Sequence, residues 1–171
     1  KIKDLIFAST GVIGEEFPVE KIRERLPDLV DRLRIEHNKM YWIKVASAIM
    51  TINIKNFLSN KNKLSKMGEF QSLKQIEGLE MASISADLYR DGRDDLALFY
   101  FTKGANYATL TTSNSITSEF IPWNNNSHKK IIKGLLVNTK NANTFTGKQG
   151  KESIDILAKN LSRILTTVSY T

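Results

Sequence analysis

The sequence predicts an α+β fold in which helices pack on the faces of mixed sheets. Three observations carry this: apolar runs of strand length bounded by Gly and Asn, apolar stripes recurring every three or four residues, and no strict alternation of the two along the chain. The first run, Asp4-Leu-Ile-Phe-Ala-Ser9, leads into Gly11 and Gly14 and reads as a buried strand that ends in a tight turn. A helix follows, with Pro18 suited to a first helical position and Val19, Ile22 and Leu26 on one face. Pro27 is expected to break that helix or to start another, whose stripe continues through Leu29, Val30 and Leu33.

From Trp42 to Met50 the spacing is again helical, because Ala46, Ile49 and Met50 share a face with Ile43. The stretch 52–66 then changes character to lysine and asparagine, with Leu58-Ser-Asn-Lys-Asn-Lys-Leu64 at its centre, and reads as an exposed connection. Strands are expected at Asp95-Leu-Ala-Leu-Phe-Tyr-Phe-Thr102 and at Tyr107-Ala-Thr-Leu-Thr-Thr112, joined as a hairpin by Lys103-Gly-Ala-Asn106. A further apolar run, Ile131 to Val137, precedes a loop rich in Asn and Gly. The spacing then predicts a helix over 152–165 with Ile154, Leu157, Leu161 and Ile164 inward. The whole is expected to form one domain, 1–171, made of segment 1–51, the connection 52–66 and segment 67–171.

Composition narrows the function classes. Apolar residues make up 41% of the chain and charged residues 25%, which is globular rather than disordered composition. No apolar run approaches the roughly 20 residues that cross a bilayer, and Lys-Ile-Lys-Asp lacks a signal peptide's apolar core, so a cytoplasmic protein with no membrane role is expected. With no cysteine and only two histidines, His37 and His128, far apart in the chain, neither a disulfide nor a metal site is expected. The net charge of +7 invites nucleic acid as a partner. The lysines are scattered, however, and no aromatic residues alternate with them as stacking platforms, so a basic nucleic-acid module is the lesser reading.

Two segments go beyond generic fold signals. One is Ala8-Ser-Thr-Gly-Val-Ile-Gly14, followed by Pro18 and Lys21-Ile22; the other is Val137-Asn-Thr-Lys-Asn-Ala-Asn-Thr-Phe-Thr-Gly-Lys-Gln-Gly150. Together they resemble the ornithine acetyltransferase family, the bifunctional glutamate and ornithine N-acetyltransferases of arginine biosynthesis. Ala48-Ile-Met-Thr51, Asp95-Leu-Ala-Leu98 and Leu110-Thr-Thr112 resemble shorter segments of the same family, so that the likeness covers 1–51 and about 75–165. The pieces stand in reversed order. In the family the asparagine-rich motif precedes the Ser-Thr-Gly strand, so the chain reads as circularly permuted across the lysine-asparagine connection, or as two segments given out of sequence.

The resemblance implies the fold of the family's α chain and a role for particular residues. Family members cleave themselves before a threonine, whose freed amine and hydroxyl serve as base and nucleophile at the head of a β chain. The motif for that cleavage is absent from this sequence. The chain is therefore expected to act only with a separate β chain that carries an N-terminal threonine, within a heterotetramer. The implied substrates are N-acetylornithine, glutamate and ornithine, and no cofactor is implied. By resemblance, the Thr10 hydroxyl and the Gly11 amide form an oxyanion hole, and Thr51 contacts substrate, although Ile52 and Asn53 stand where the family has threonine and aspartate. Asn138, Asn141 and Asn143 could line the pocket, but asparagine also tolerates left-handed turns and bonds its own backbone, and the structural role is the favoured one. Lys140 stands where the family commonly has glycine. The rival expectation is an inactive truncated or permuted half-enzyme.

Overall fold

The structure, a computed structural model, describes residues 1–35, 39–50, 75–126 and 131–168. Thr51 and the connection 52–66 lie outside the described residues, as do His37 and His128. Strands β1 (Leu5–Ser9), β2 (Leu79–Ile84), β3 (Leu96–Asn106) and β4 (Ile131–Asn138) form one sheet in the order β1-β4-β3-β2. The helices are α1 (Val19–Asp31), α2 (Lys39–Ile49), α3 (Phe120–Asn126) and α4 (Gly147–Val168). β1 runs parallel to β4, with Leu5 opposite Gly134 and Ser9 opposite Asn138, whereas β2–β3 and β3–β4 are antiparallel. The mixed sheet with helices on its faces is the α+β class that the sequence predicts. It also joins the two resembling segments, since β1 comes from one and β4 from the other.

One face of the sheet packs against α1 and α4. Leu5, Phe7, Leu96, Leu98 and Leu136 meet Ile22, Leu26, Leu29 and Val30 of α1 and Ile154, Leu157, Ala158, Leu161 and Leu165 of α4. On the other face, Val45 and Ala48 of α2 cover Leu79, Met81 and Ala97. α1 passes through Pro27 without ending, contrary to the expected break. The missing amide and ring of an interior proline cost about 3 kcal/mol. Burying Ile22, Leu26, Leu29 and Val30 on one continuous stripe is worth about 1.5 to 3 kcal/mol for each side chain, so packing wins.

The expected hairpin is absent. Lys103 to Asn106 continues β3, where Ala105 and Asn106 pair with Ile132 and Ile131, and the register shifts between Tyr100 and Ala105. Gly104, at φ +79°, thus serves an irregularity within a strand and not a reversal of the chain. Residues 107–112 form no strand, and Leu110 is fully exposed. β3 instead takes β2 as its other neighbour, with Met81 opposite Phe99. β2 was not predicted from the sequence. Neither was α3, a short helix with Pro122 in its first turn. Phe120 of α3 stacks on Phe7, with ring centroids 5.8 Å apart, and Trp123 meets the same ring edge-on at 5.9 Å.

Candidate functional site

The Ser-Thr-Gly segment continues β1 past its last full strand residue. Thr10 N–H donates to Asn138 O (3.1 Å), Val12 N–H to Lys140 O (2.8 Å), Ala142 N–H to Val12 O (2.9 Å) and Gly14 N–H to Thr144 O (3.1 Å). With the Thr10, Val12 and Gly14 amides bonded to residues 138–144, the N–H groups of Gly11 and Ile13 are left out of that pairing. Neither donates to any group among the described residues.

The outer edge of β1 is covered on one side of the site. Trp123 Nε1 donates to Leu5 O (3.2 Å), Asn124 Nδ2 donates to Phe7 O (2.8 Å), and Asn124 Oδ1 accepts from Phe7 N–H (3.0 Å). Asn124 therefore does for Phe7 what a neighbouring strand would do, and it protects the edge as far as Phe7. Beyond Ser9 no group among the described residues caps it in this way. The half-buried Thr10 hydroxyl has no hydrogen-bond partner among the described residues, so no base is in place to activate it as a nucleophile. What the segment offers is a hydroxyl and an amide, adjacent in sequence, on a rigid strand edge.

Glycine at position 11 is required by the packing. Its φ is +137°, and a Cβ there would lie 2.0 Å from the Lys140 carbonyl oxygen and 2.2 Å from its carbon. Those atoms are backbone and cannot swing aside. The asparagine-rich loop is thus the wall against which Gly11 is set.

The asparagines build that wall. Asn138 is buried and donates through Nδ2 to Asn141 O (2.9 Å). Asn143 is fully buried; its Nδ2 donates to Gly150 O (3.0 Å), its Oδ1 accepts from the Thr146 hydroxyl (2.5 Å), and its N–H donates to Ser9 Oγ (2.9 Å). The more exposed Asn141 donates to Glu15 Oε2 (2.8 Å). Each amide is engaged in holding the loop, as the sequence suggests. The Ser9 hydroxyl, which ties the loop to β1 immediately before Thr10, was not singled out.

Two further contacts fix the loop from the α2 face. Thr139 N–H donates to Asp95 O (2.9 Å), and the Thr139 hydroxyl donates to Ala48 O (3.2 Å) near the end of α2. The helix that leads to position 51 therefore ends against the loop that lines Gly11. The Asp95 carboxylate is buried and accepts from Ala86 N–H (2.7 Å) and Leu88 N–H (2.8 Å). Burial, the largest influence, raises its carboxyl above the ordinary value, against the lowering pull of the Ala86, Leu88 and Tyr89 amides. Among the described residues no group of three or more His, Asp or Glu is placed to hold a metal ion. No described helix is long and apolar enough to cross a membrane.

The asparagine loop and α4 lie within the part of the chain that matches a known family. Residues 80–170 fit the model of the ArgJ family, which is more than half of the chain. The chain belongs to the ArgJ family. Among its curated relatives, the arginine biosynthesis bifunctional protein ArgJ of Zymomonas mobilis is 34% identical over 83 residues, 48% of this chain and 20% of the relative. The same-named proteins of Caulobacter vibrioides and Nitrobacter winogradskyi are 30% identical over 89 residues and 31% identical over 91, in each case 50% of this chain and 22% of the relative. The match thus spans about a fifth of the length of these ArgJ proteins. The ArgJ model begins after Thr10 and Gly11, which join the matched part through the β1–β4 ladder. No solved structure matches the chain.

Proposed function

We propose that this chain supplies the oxyanion hole of a glutamate/ornithine N-acetyltransferase of arginine biosynthesis, as the α-type half of an assembly whose nucleophile is the N-terminal threonine of a separate β chain. The observation that carries this reading is the strand edge. The pairing with residues 138–144 leaves Gly11 N–H without a partner among the described residues, beside a Thr10 hydroxyl that has none among them either, on a segment held by the asparagine loop.

In the proposed reaction the threonine hydroxyl of the β chain attacks the acetyl carbonyl of N-acetylornithine, and its proton passes to the amine of the departing ornithine. The resulting acetyl ester is then attacked by the amine of glutamate, which releases N-acetylglutamate and restores the threonine. Each step passes through a tetrahedral oxyanion, and donors set where that charge develops lower both barriers. Thr10 and Gly11 are those donors. The β chain would arise by self-cleavage of a precursor, the assembly would be a heterotetramer in the cytoplasm, and no cofactor takes part. Thr51, just beyond the end of α2, is assigned to substrate contact.

The test is Thr10→Val in the assembled enzyme, which keeps the side-chain shape and removes the donor. Loss of one such donor lowers kcat by about 10² to 10³. Turnover within about twofold of wild type sinks the oxyanion assignment. Intact mass and N-terminal sequencing of everything that copurifies test the assembly. A companion chain beginning with threonine supports it, and this chain alone, without acetyl transfer, supports the reading as an inactive half-enzyme.

A further inference from the structure

Asn143 is the joint of the asparagine loop, and one side chain of β1 holds it. It is fully buried, and its groups reach three segments. Oδ1 accepts from the Thr146 hydroxyl (2.5 Å) and Nδ2 donates to Gly150 O (3.0 Å) at the start of α4, while its carbonyl accepts from Glu119 N–H (2.8 Å) and the Ser118 hydroxyl (2.9 Å) just before α3. The remaining group, its N–H, donates to Ser9 Oγ (2.9 Å). In the register of the sheet Ser9 stands opposite Asn138, where the loop begins. Ser9 thus holds the loop at both ends, by its place in the ladder at Asn138 and by its hydroxyl oxygen at Asn143. Between those ends lies Lys140, whose carbonyl accepts the Val12 amide (2.8 Å) and would lie 2.0 Å from a Cβ on Gly11. Among the described residues, the other bonds between 9–14 and 138–144 run from backbone to backbone, so Ser9 is where a side chain closes the loop onto the strand.

We propose that Ser9 is a positioning residue for acetyl transfer: its hydroxyl oxygen clasps the loop onto β1, and the clasped loop sets the places of the Thr10 hydroxyl and the Gly11 amide. The inference rests on the acetyl-transfer reading and adds to it a residue that acts through its neighbours. Without the Ser9 oxygen the buried Asn143 amide loses its acceptor, and a buried donor regains one only by moving. The loop then shifts at Lys140, and Gly11 shifts with it. A misplacement of about 1 Å can cost about 10²-fold in rate. The oxyanion's charge exists only once the acetyl carbonyl has been attacked, so the loss falls on kcat and leaves KM nearly unchanged.

The experiment is a double-mutant cycle of Ser9→Ala and Thr10→Val in the assembled enzyme, with kcat and KM for N-acetylornithine measured on assemblies isolated by gel filtration. Ser9→Ala alone should lower kcat about tenfold or more with KM within about twofold, and Ser9→Thr, which keeps the acceptor oxygen, should hold kcat within about threefold of wild type. In the Thr10→Val background Ser9→Ala should lower kcat by about threefold at most, because one of the donors it positions is already gone. Should Ser9→Ala not assemble, Ser9→Cys, which fills the site with a weaker acceptor, is held to the same expectations. A kcat for Ser9→Ala within about twofold of wild type overturns the proposal, and so does an equal loss in both backgrounds, which would show that Ser9 does not act through Thr10. Thr10→Val within about twofold of wild type overturns the oxyanion reading itself, whereas a large loss in Thr10→Val with none in Ser9→Ala overturns only the role of Ser9.

Discussion

Gly11→Ala is the sharpest probe of the site, because the substitution adds one methyl group at a place where backbone leaves no room. The new Cβ would lie 2.0 Å from Lys140 O and 2.9 Å from Asn141 N, less than any tolerable contact, and no rotamer relieves it. The extended β1 must part from the loop. Parting removes the Val12 N–H to Lys140 O bond (2.8 Å) and the Ala142 N–H to Val12 O bond (2.9 Å), each worth about 1 kcal/mol net. Alanine at a φ of +137° adds about 1 to 2 kcal/mol of conformational strain. The expected destabilisation is therefore about 3 to 4 kcal/mol, read as a shift of the urea midpoint at constant m.

Hydrogen exchange shows where that loss falls. If the ladder opens by itself, the Val12 and Ala142 amides lose protection while Leu98 and Leu136 in the sheet keep theirs, and the global loss is smaller by the same amount. A midpoint loss below about 1 kcal/mol with protection at Val12 and Ala142 unchanged would refute the reasoning. It would mean that Gly11 is not held against the Lys140 peptide as described.

Two other perturbations separate the supports of the site. Asp95→Ala leaves the Ala86 and Leu88 amides without their acceptor and should cost about 2 to 4 kcal/mol at pH 4, measured by urea denaturation. Burial raises the Asp95 carboxyl, so the native state holds its proton more tightly than the unfolded chain does. The contribution of Asp95 is then full below about pH 4 and diminishes as pH rises through its folded value, so the gap between wild type and variant should narrow toward neutrality. A gap that widens with pH would show that the amide donors outweigh burial. Asn124→Ala uncovers both backbone groups of Phe7 and should cost about 1 to 2 kcal/mol, with faster exchange of the Phe7 amide. Unchanged exchange there would mean that the edge is protected by something other than this side chain.

The parts legible in the sequence are those set by local chemistry. Leu5 to Ser9, the stripe from Ile22 to Val30 and the stripe from Ile154 to Leu165 were readable because burial imposes a period on the chain. The structural role of Asn138, Asn141 and Asn143 was readable because asparagine bonds nearby backbone in turns. The errors arose where distant partners decide. Gly104 signals a reversal by local rules, yet Ile131 and Ile132 offer β3 a partner across the irregularity, and the strand continues. The run Leu-Glu-Met-Ala-Ser-Ile of β2 lacks clean alternation because both faces are covered, by α1 on one side and α2 on the other. The left-handed backbone of Lys140 had no signal in its residue type at all.

The same division explains why the site depends on segments far apart in the chain. A Ser-Thr-Gly sequence by itself is a turn, and nothing local points its amide anywhere. Its direction here is set by pairing with residues 138–144, more than a hundred positions away, and the neighbouring edge is closed by Asn124 from a third element. Because β1 and β4 are parallel, Thr10 and the asparagine loop emerge at the same end of the sheet. Parallel pairing does not depend on which of the two segments comes first along the chain. The reversed order of the resembling segments is thus compatible with the geometry at Thr10 and Gly11, since what that geometry requires is adjacency in the sheet and not succession in the sequence.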